Sequence, residues 1–182
     1  MRTGDLALSL AVASIFSAVA IPARAVDSVS LEAGHGDSTR LVRAGVQWNW
    51  DQQWWKSNGT HIGGYWDLTL AQWRGSRYRD IGGRSQELAV LGITPVFRFQ
   101  SDSRKGFYIE AGIGANLLSE RYDNDGKRFS TRFQFGDHVG LGYVFANNLD
   151  LGLKIQHFSN AGIKKPNPGV DFAIIQLRYG FQ

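Results

Sequence analysis

Phe107-Tyr108-Ile109-Glu110-Ala111-Gly112-Ile113-Gly114-Ala115-Asn116-Leu117 decides the fold, because its apolar and polar residues alternate strictly. Phe107, Ile109, Ala111, Ile113, Ala115 and Leu117 share one face, while Glu110, Asn116 and the two glycines share the other. A period of two belongs to an extended strand, whose successive side chains point to opposite sides. Toward the N-terminus the pattern recurs, with Val42, Ala44, Val46, Trp48 and Trp50 set against Arg43, Gln47 and Asn49. Eight segments of this kind can be marked, over residues 28–35, 39–50, 60–74, 86–100, 105–118, 130–145, 149–158 and 169–181, with turn residues between them.

Two architectures use such segments. A soluble sandwich packs its apolar faces against a second sheet, whereas a transmembrane barrel turns them toward lipid and keeps a polar interior. Aromatics gather near the segment ends (Trp48, Trp50, Trp54, Trp55, Trp66, Trp73, Tyr143, Phe145, Tyr179, Phe181), where interfacial girdles belong. The segment count is even, and beyond residue 25 no stretch approaches the roughly 20 apolar residues of a spanning helix. The expected fold is therefore all-β, an eight-stranded antiparallel transmembrane β-barrel. Inner-face glycines suit a narrow interior, and Glu110, Asp67, Arg98 and His138 take inner parity, where charges pair. Asp137 interrupts the outward apolar set of the sixth segment, which a bulge or a misplaced boundary would equally explain.

Targeting agrees with export. Leu6 to Ala20 form an apolar run behind Arg2, followed by Pro22 and Ala23-Arg24-Ala25, which predicts a signal peptide over 1–25 and a barrel domain over 26–182. A membrane anchor is the alternative. With no cysteine, an exported chain must hold together without disulfides, which a closed sheet allows. The formal charge of +4 becomes +3 when Arg2, Arg24 and Asp5 are removed, and no basic helix accompanies it. An anionic membrane surface is the expected partner and nucleic acid is not. The four histidines are dispersed without metal-ligand spacing, so neither metal nor cofactor is expected.

If the first strand starts at the periplasm, connections 74–85, 119–129 and 159–168 face outward. They carry Arg74, Arg77, Arg79, Arg84, Arg121, Lys127, Arg128, Lys164 and Lys165, where a phosphate-bearing leaflet or plain solvent would meet them. The 51–59 connection is long yet falls on the other side.

Chemistry concentrates in Gln156-His157-Phe158-Ser159-Asn160-Ala161-Gly162 and Asn167-Pro168-Gly169-Val170-Asp171. Counting by twos from Leu151, Leu153 and Ile155 brings His157 and Ser159 onto the lipid face, and counting back from Ile175 and Ala173 brings Asp171 there too. Positions 157 and 171 are symmetric about 164, so a regular hairpin opposes them with Cβ atoms about 4.5 to 5.5 Å apart. Carboxylate, imidazole and hydroxyl in that sequence form the acid, base and nucleophile of a serine hydrolase. Basic groups on a lipid face cost up to about 2–4 kcal/mol at the midplane, so a cluster there points to function. Strands that ended earlier would instead leave these groups in headgroup water. Gly36-Asp37-Ser38 matches the opening of a GDS-type lipase block, but that chemistry rides on an α/β scaffold whose helix patterns are absent. A G-x-S-x-G elbow is missing as well.

The block resembles the lipid A 3-O-deacylase family (PagL). Supporting stretches run in order along the chain: Trp48-Asn49-Trp50-Asp51 with Trp54-Trp55, Gly64-Tyr65-Trp66-Asp67, Pro95-Val96-Phe97 and Ile109-Glu110-Ala111-Gly112-Ile113-Gly114. The resemblance implies an eight-stranded outer-membrane barrel acting on lipid A in lipopolysaccharide, with His157 and Ser159 as catalytic residues and Asp171 as third member where the family pattern has Glu. It further implies that the Asn160 side chain and the Gly162 N–H stabilise the oxyanion, and that Asn167 supports the motif. A homodimer is left open. Two other classes stay open on the residues alone: a non-enzymatic barrel, and an outer-membrane phospholipase or acyltransferase.

Overall fold

The computed structural model describes residues 25–181. The leader expected over 1–25 lies outside the described residues except for its last position. Eleven strands follow: β1 Ser28–Gly36, β2 Thr39–Asn49, β3 Trp54–Ser57, β4 Thr60–Gly75, β5 Gln86–Ser101, β6 Gly106–Leu118, β7 Asp123–Asn124, β8 Lys127–Arg128, β9 Phe133–Val144, β10 Leu149–Ser159 and β11 Val170–Gly180. Nine of them form one sheet, of which eight make the barrel in the order β2-β1-β11-β10-β9-β6-β5-β4, with β4 pairing back onto β2 to close it and β3 added beside β4. Every barrel pairing is antiparallel. Closure satisfies the backbone without leaving an edge, which is what a sheet needs in hydrocarbon.

The alternation seen in the sequence sets the two faces. Leu31, Val42, Leu70, Ile113, Val139 and Ile155 project outward, each about 60% exposed or more. An apolar band spanning all the barrel strands cannot face water, and it matches the lipid-facing belt of an outer-membrane barrel. Moving each such side chain from water into hydrocarbon contributes about 1.5–3 kcal/mol.

Inside, charge occupies the middle and the end with short turns. Arg98 Nη2 pairs with Glu110 Oε2 at 2.6 Å, Arg98 Nη1 and Arg178 Nη2 meet Asp150 at 2.9 and 2.6 Å, and Lys154 joins Glu32 at 2.7 Å. Arg43 also bonds Glu32. Asp67 accepts from Gln47, while His138 Nε2 stands 3.9 Å from Glu110. Opposite charges so paired offset one another's desolvation.

At the end with long loops the interior turns apolar. Leu41, Trp73, Leu88, Leu118, Tyr122, Phe129, Phe158 and Phe172 form one buried cluster. Trp73, expected in an aromatic girdle, is instead inside and 1% exposed. Its neighbours explain the correction: Leu68 and Leu70 face out on β4, so odd positions point in, and Trp73 meets Phe158 and Phe172 with ring centroids 4.7 and 4.8 Å away.

Three further details depart from the sequence-based expectation. Residues 130–132 do not extend β9: Ser130 and Thr131 bind the loop after β10, and Arg132 Nε donates to Leu118 O at 2.7 Å. The long 51–59 connection carries β3, which folds back on β4 through Trp54↔Ile62 and Ser57↔Thr60. Its Trp54, with Trp50, Trp66 and Phe97, builds an aromatic cluster. Finally, β7 and β8 form a hairpin within the 119–132 loop.

Candidate active site

β10 and β11 present outward-facing polar side chains between inward anchors. On β10, Phe158 is 1% exposed and points into the apolar cluster, so its neighbours His157 and Ser159 must point away from it. On β11, Val170 and Phe172 are buried on either side of Asp171 and turn it outward in the same way. Burying those anchors fixes the strand faces, because a one-residue slip would expose both phenylalanines.

Register does the rest. His157 lies directly opposite Asp171, in the ladder that continues Ile155↔Ala173 and Leu153↔Ile175. His157 Nδ1 and Asp171 Oδ1 are 2.6 Å apart. An ionised carboxylate only accepts, so Nδ1 carries the proton and donates, which leaves Nε2 with its lone pair free to act as a base. Both side chains are open to the outside, 39% and 62% exposed. His157 is eight residues along β10 from Leu149, about 26 Å of strand, which at a tilt of about 35–45° rises about 20 Å and so lies in the outer part of an apolar band about 25 Å tall.

Ser159 ends β10 on the same face, and its Oγ accepts from Ala161 N–H at 3.4 Å. Among the described residues it makes no hydrogen bond to His157. Gly169 packs beneath the imidazole: its φ is +72°, and a Cβ there would lie 2.3 Å from His157 Cε1 and 2.9 Å from Nε2. Only glycine combines that backbone conformation with so close an approach.

The oxyanion donors expected from the sequence are engaged elsewhere. Asn160 is fully buried, since parity turns it inward from Ser159. Its Nδ2 donates to Ser130 Oγ at 3.0 Å, Thr131 Oγ1 at 3.3 Å and Lys164 O at 2.8 Å. Gly162 N–H donates to Asn160 Oδ1 at 3.0 Å. Asn167 Oδ1 accepts from Asn160 N–H at 3.0 Å, so both asparagines tie the loop together.

Sequence reading missed two carboxylates near this cluster. Asp137 sits on β9 in unbroken register, opposite Ile113 on one side and His157 on the other. It marks neither a bulge nor a boundary. Together with His157, Ile113, Val139 and Ile155 it lines a groove of about 560 Å³ on the outer wall. Parity already placed Asp137 outward, but only the β9–β10 register puts it beside the histidine. The other is Asp37, in the turn between β1 and β2. Partial burial raises its carboxyl, and Lys127, the Asp171 N–H and His157 outweigh that to hold it below the usual value. With a lowered folded value, its stabilising share is complete above the ordinary Asp value of about 3.9 and is lost as pH falls through the folded one.

A second His–Asp pair, His61 Nδ1 to Asp102 Oδ1 at 2.9 Å, lies at the short-turn end. Its Nε2 faces the Gln100 amide at 3.3 Å, not a nucleophile.

Comparison with known proteins supplies the context for this arrangement. A family model described as Lipid A 3-O-deacylase (PagL) matches residues 40–181. Two curated proteins named Lipid A deacylase PagL are similar to the chain. That of Pseudomonas aeruginosa is 35% identical over 165 residues, covering 90% of this chain and 92% of the relative. That of Bordetella bronchiseptica is 40% identical over 163 residues, covering 85% and 82%. A solved crystal structure of the outer membrane enzyme PagL superposes with a TM-score of 0.72 at 30% identity, covering 84% of this chain and 98% of that one.

Proposed function

Because the chain belongs to the lipid A 3-O-deacylase (PagL) family and is an outer-membrane lipid A deacylase, we propose that it hydrolyses the ester at the 3-position of lipid A with Ser159 as nucleophile, His157 as base and Asp171 as its partner. The observation that carries this reading is the 2.6 Å His157–Asp171 contact beside Ser159 on the lipid-facing wall. Lipid A resides in the outer leaflet, so its ester carbonyl reaches this height by lateral diffusion, and no channel is required. An acyl chain lying along Ile113, Val139 and Ile155 occupies the outer groove, with its ester end at His157.

In the first step Ser159 Oγ attacks the ester carbonyl while His157 Nε2 takes its proton, and Asp171 stabilises the imidazolium through Nδ1–H. The tetrahedral intermediate collapses, the sugar oxygen leaves and receives the proton from Nε2, and the acyl group stays on Ser159. Water then attacks the acyl-enzyme with His157 again as base, releasing a 3-hydroxy fatty acid and restoring Ser159. Joining Ser159 to His157 takes a side-chain movement at the last residue of β10. Such bonds commonly tighten only in the substrate complex. The Ala161 N–H already points at Ser159 Oγ, and Gly162 N–H joins it at the oxyanion by exchanging Asn160 Oδ1 for the substrate oxygen. Asn160 and Asn167 hold the turn that presents these donors. The reading is complete within one chain and needs no second copy.

Mass spectrometry of lipid A from cells that express the protein tests the substrate position. The expected product has lost one 3-hydroxyacyl mass, located at the 3-position by fragmentation. Loss from another position overturns the regiochemistry. Unchanged lipid A alongside lysophospholipid points to a phospholipase, and no product of either kind points to a non-enzymatic barrel.

Gly169→Ala is expected to lower kcat about 10- to 100-fold in a barrel that still folds, because the methyl displaces the imidazole by a good part of an ångström. Deacylation kinetics on folded protein check this, and an unchanged kcat would show that the ring does not react in its present position.

A further inference from the structure

Gly36-Asp37-Ser38, the lipase-like segment that no step above uses, lies against the backbone of Asp171. β1 and β11 are the first and last barrel strands, and closure pairs them from Ser28↔Gly180 to His35↔Ala173. Continuing that register by two residues sets position 37 against position 171. There β1 has already turned away, with φ +47° at Asp37 and +55° at Ser38, angles that fit the primed turns of tight hairpins. On that side Asp171 N–H therefore faces the Asp37 side chain in place of a ladder carbonyl, and it donates to Asp37 Oδ2 at 2.9 Å. Gly36 permits the approach, since a Cβ there would stand 1.7 Å from Asp171 O.

Neighbouring loops hold Asp37 in turn. Lys127 Nζ lies 2.8 Å from the same Oδ2. Ser38 Oγ donates to Asp125 Oδ2 at 2.6 Å, Arg77 Nε pairs with Asp125 Oδ1 at 2.7 Å, and Asn124 Nδ2 donates to Asp37 O at 3.3 Å. Lys127 also balances the charge, so a second carboxylate can stand behind Asp171 without driving it from the histidine.

We propose that Asp37 is a positioning residue for the reaction, fixing the backbone of Asp171 so that its carboxylate is delivered to His157 Nδ1. The inference rests on the reading of Asp171 as the third member of the triad. The Asp171 side chain is 62% exposed, so packing does little to hold it. Its position depends on where the backbone leaves the 160–169 loop, and Asp37 sets that point. Small displacements of a catalytic group carry large kinetic costs. The loop that binds Asp37 also carries Lys127 and Arg128 on β8, so the outer loops and the catalytic pair are mechanically linked.

The test is deacylation of purified lipid A in detergent micelles by Asp37→Ala, Asp37→Asn, Asp171→Ala and Asp37→Ala/Asp171→Ala, with folding checked by the gel mobility of heated and unheated protein. Asp37→Ala is expected to lower kcat about tenfold with apparent KM within about twofold. Asp37→Asn tolerates the left-handed backbone and keeps an oxygen for the Asp171 N–H, so it recovers kcat to within about threefold of wild type. In the Asp171→Ala background the Asp37→Ala change is silent within about twofold, because it acts only through Asp171. Wild-type kcat in Asp37→Ala, with Asp171→Ala strongly impaired, overturns the inference and leaves the triad standing. A full tenfold loss in the Asp171→Ala background also overturns it, since Asp37 would then act by another route. Wild-type activity in Asp171→Ala overturns the triad reading and this inference with it.

Discussion

Ser159→Ala is expected to lose lipid A deacylation by about 10⁴-fold or more while the barrel stays folded. On the proposed mechanism the substitution removes the atom that forms the acyl-enzyme, the hydroxyl that ends β10 on the face of His157. What survives is the acceleration from bound donors and substrate orientation, commonly about 10³–10⁴ over water. Folding should be indifferent to the change. Ser159 Oγ makes one 3.4 Å contact with the Ala161 N–H, and the strand is pinned by Phe158, which the substitution leaves alone. The measurement is a time course of lipid A conversion by wild-type and Ser159→Ala barrels that show equal heat-modifiable mobility. Wild-type conversion by the variant would remove Ser159 from the mechanism.

Asp171→Ala is expected to cost about 10²–10⁴-fold in kcat, less than Ser159→Ala, since on the proposed mechanism Asp171 orients and stabilises the imidazole without reacting itself. Without the carboxylate, the acceptor that fixes hydrogen on Nδ1 is gone, and the proposed imidazolium loses the counter-charge in contact with it. Asp171→Glu tests the reach of the shorter side chain. The family resemblance implies Glu at this position, so Asp is shorter by one methylene. In the structure, direct opposition across the β10–β11 pair brings Asp171 to 2.6 Å from Nδ1, so no distance remains for an extra methylene to close. Asp171→Glu is therefore expected to give no gain in kcat and a modest loss, read in the same assay. A several-fold gain would show that the aspartate's reach limits the rate.

How much of this site was visible beforehand depends on the range of the interactions that build it. His157, Ser159 and Asp171 share a face because each follows an alternating apolar run, and alternation is a local property of extended backbone. The hairpin arithmetic about position 164 held because β10 and β11 are consecutive and pair without a bulge across residues 149–158 and 170–179. Trp73 shows the limit of weighing position over parity: its place near a strand end suggested a girdle, while its odd number on β4 sends it inside. The β3 strand and the β7–β8 hairpin, four residues and two per strand, are too short for periodicity to reveal.

By itself the sequence determined the barrel, its eight strands, the face of every catalytic candidate and the family, since each follows from alternation within a strand or from contiguous motifs. Tertiary structure alone decided which groups surround the His157–Asp171 pair. Asp37 reaches Asp171 across 134 residues because a barrel must join its last strand to its first. Asp137 stands beside His157 because the register of a neighbouring strand places it there. Asn160 turns from the expected oxyanion to the loop interior because its amide finds Ser130, Thr131 and Lys164 there. Alternation tells which way a side chain points, and only closure and register tell what it meets.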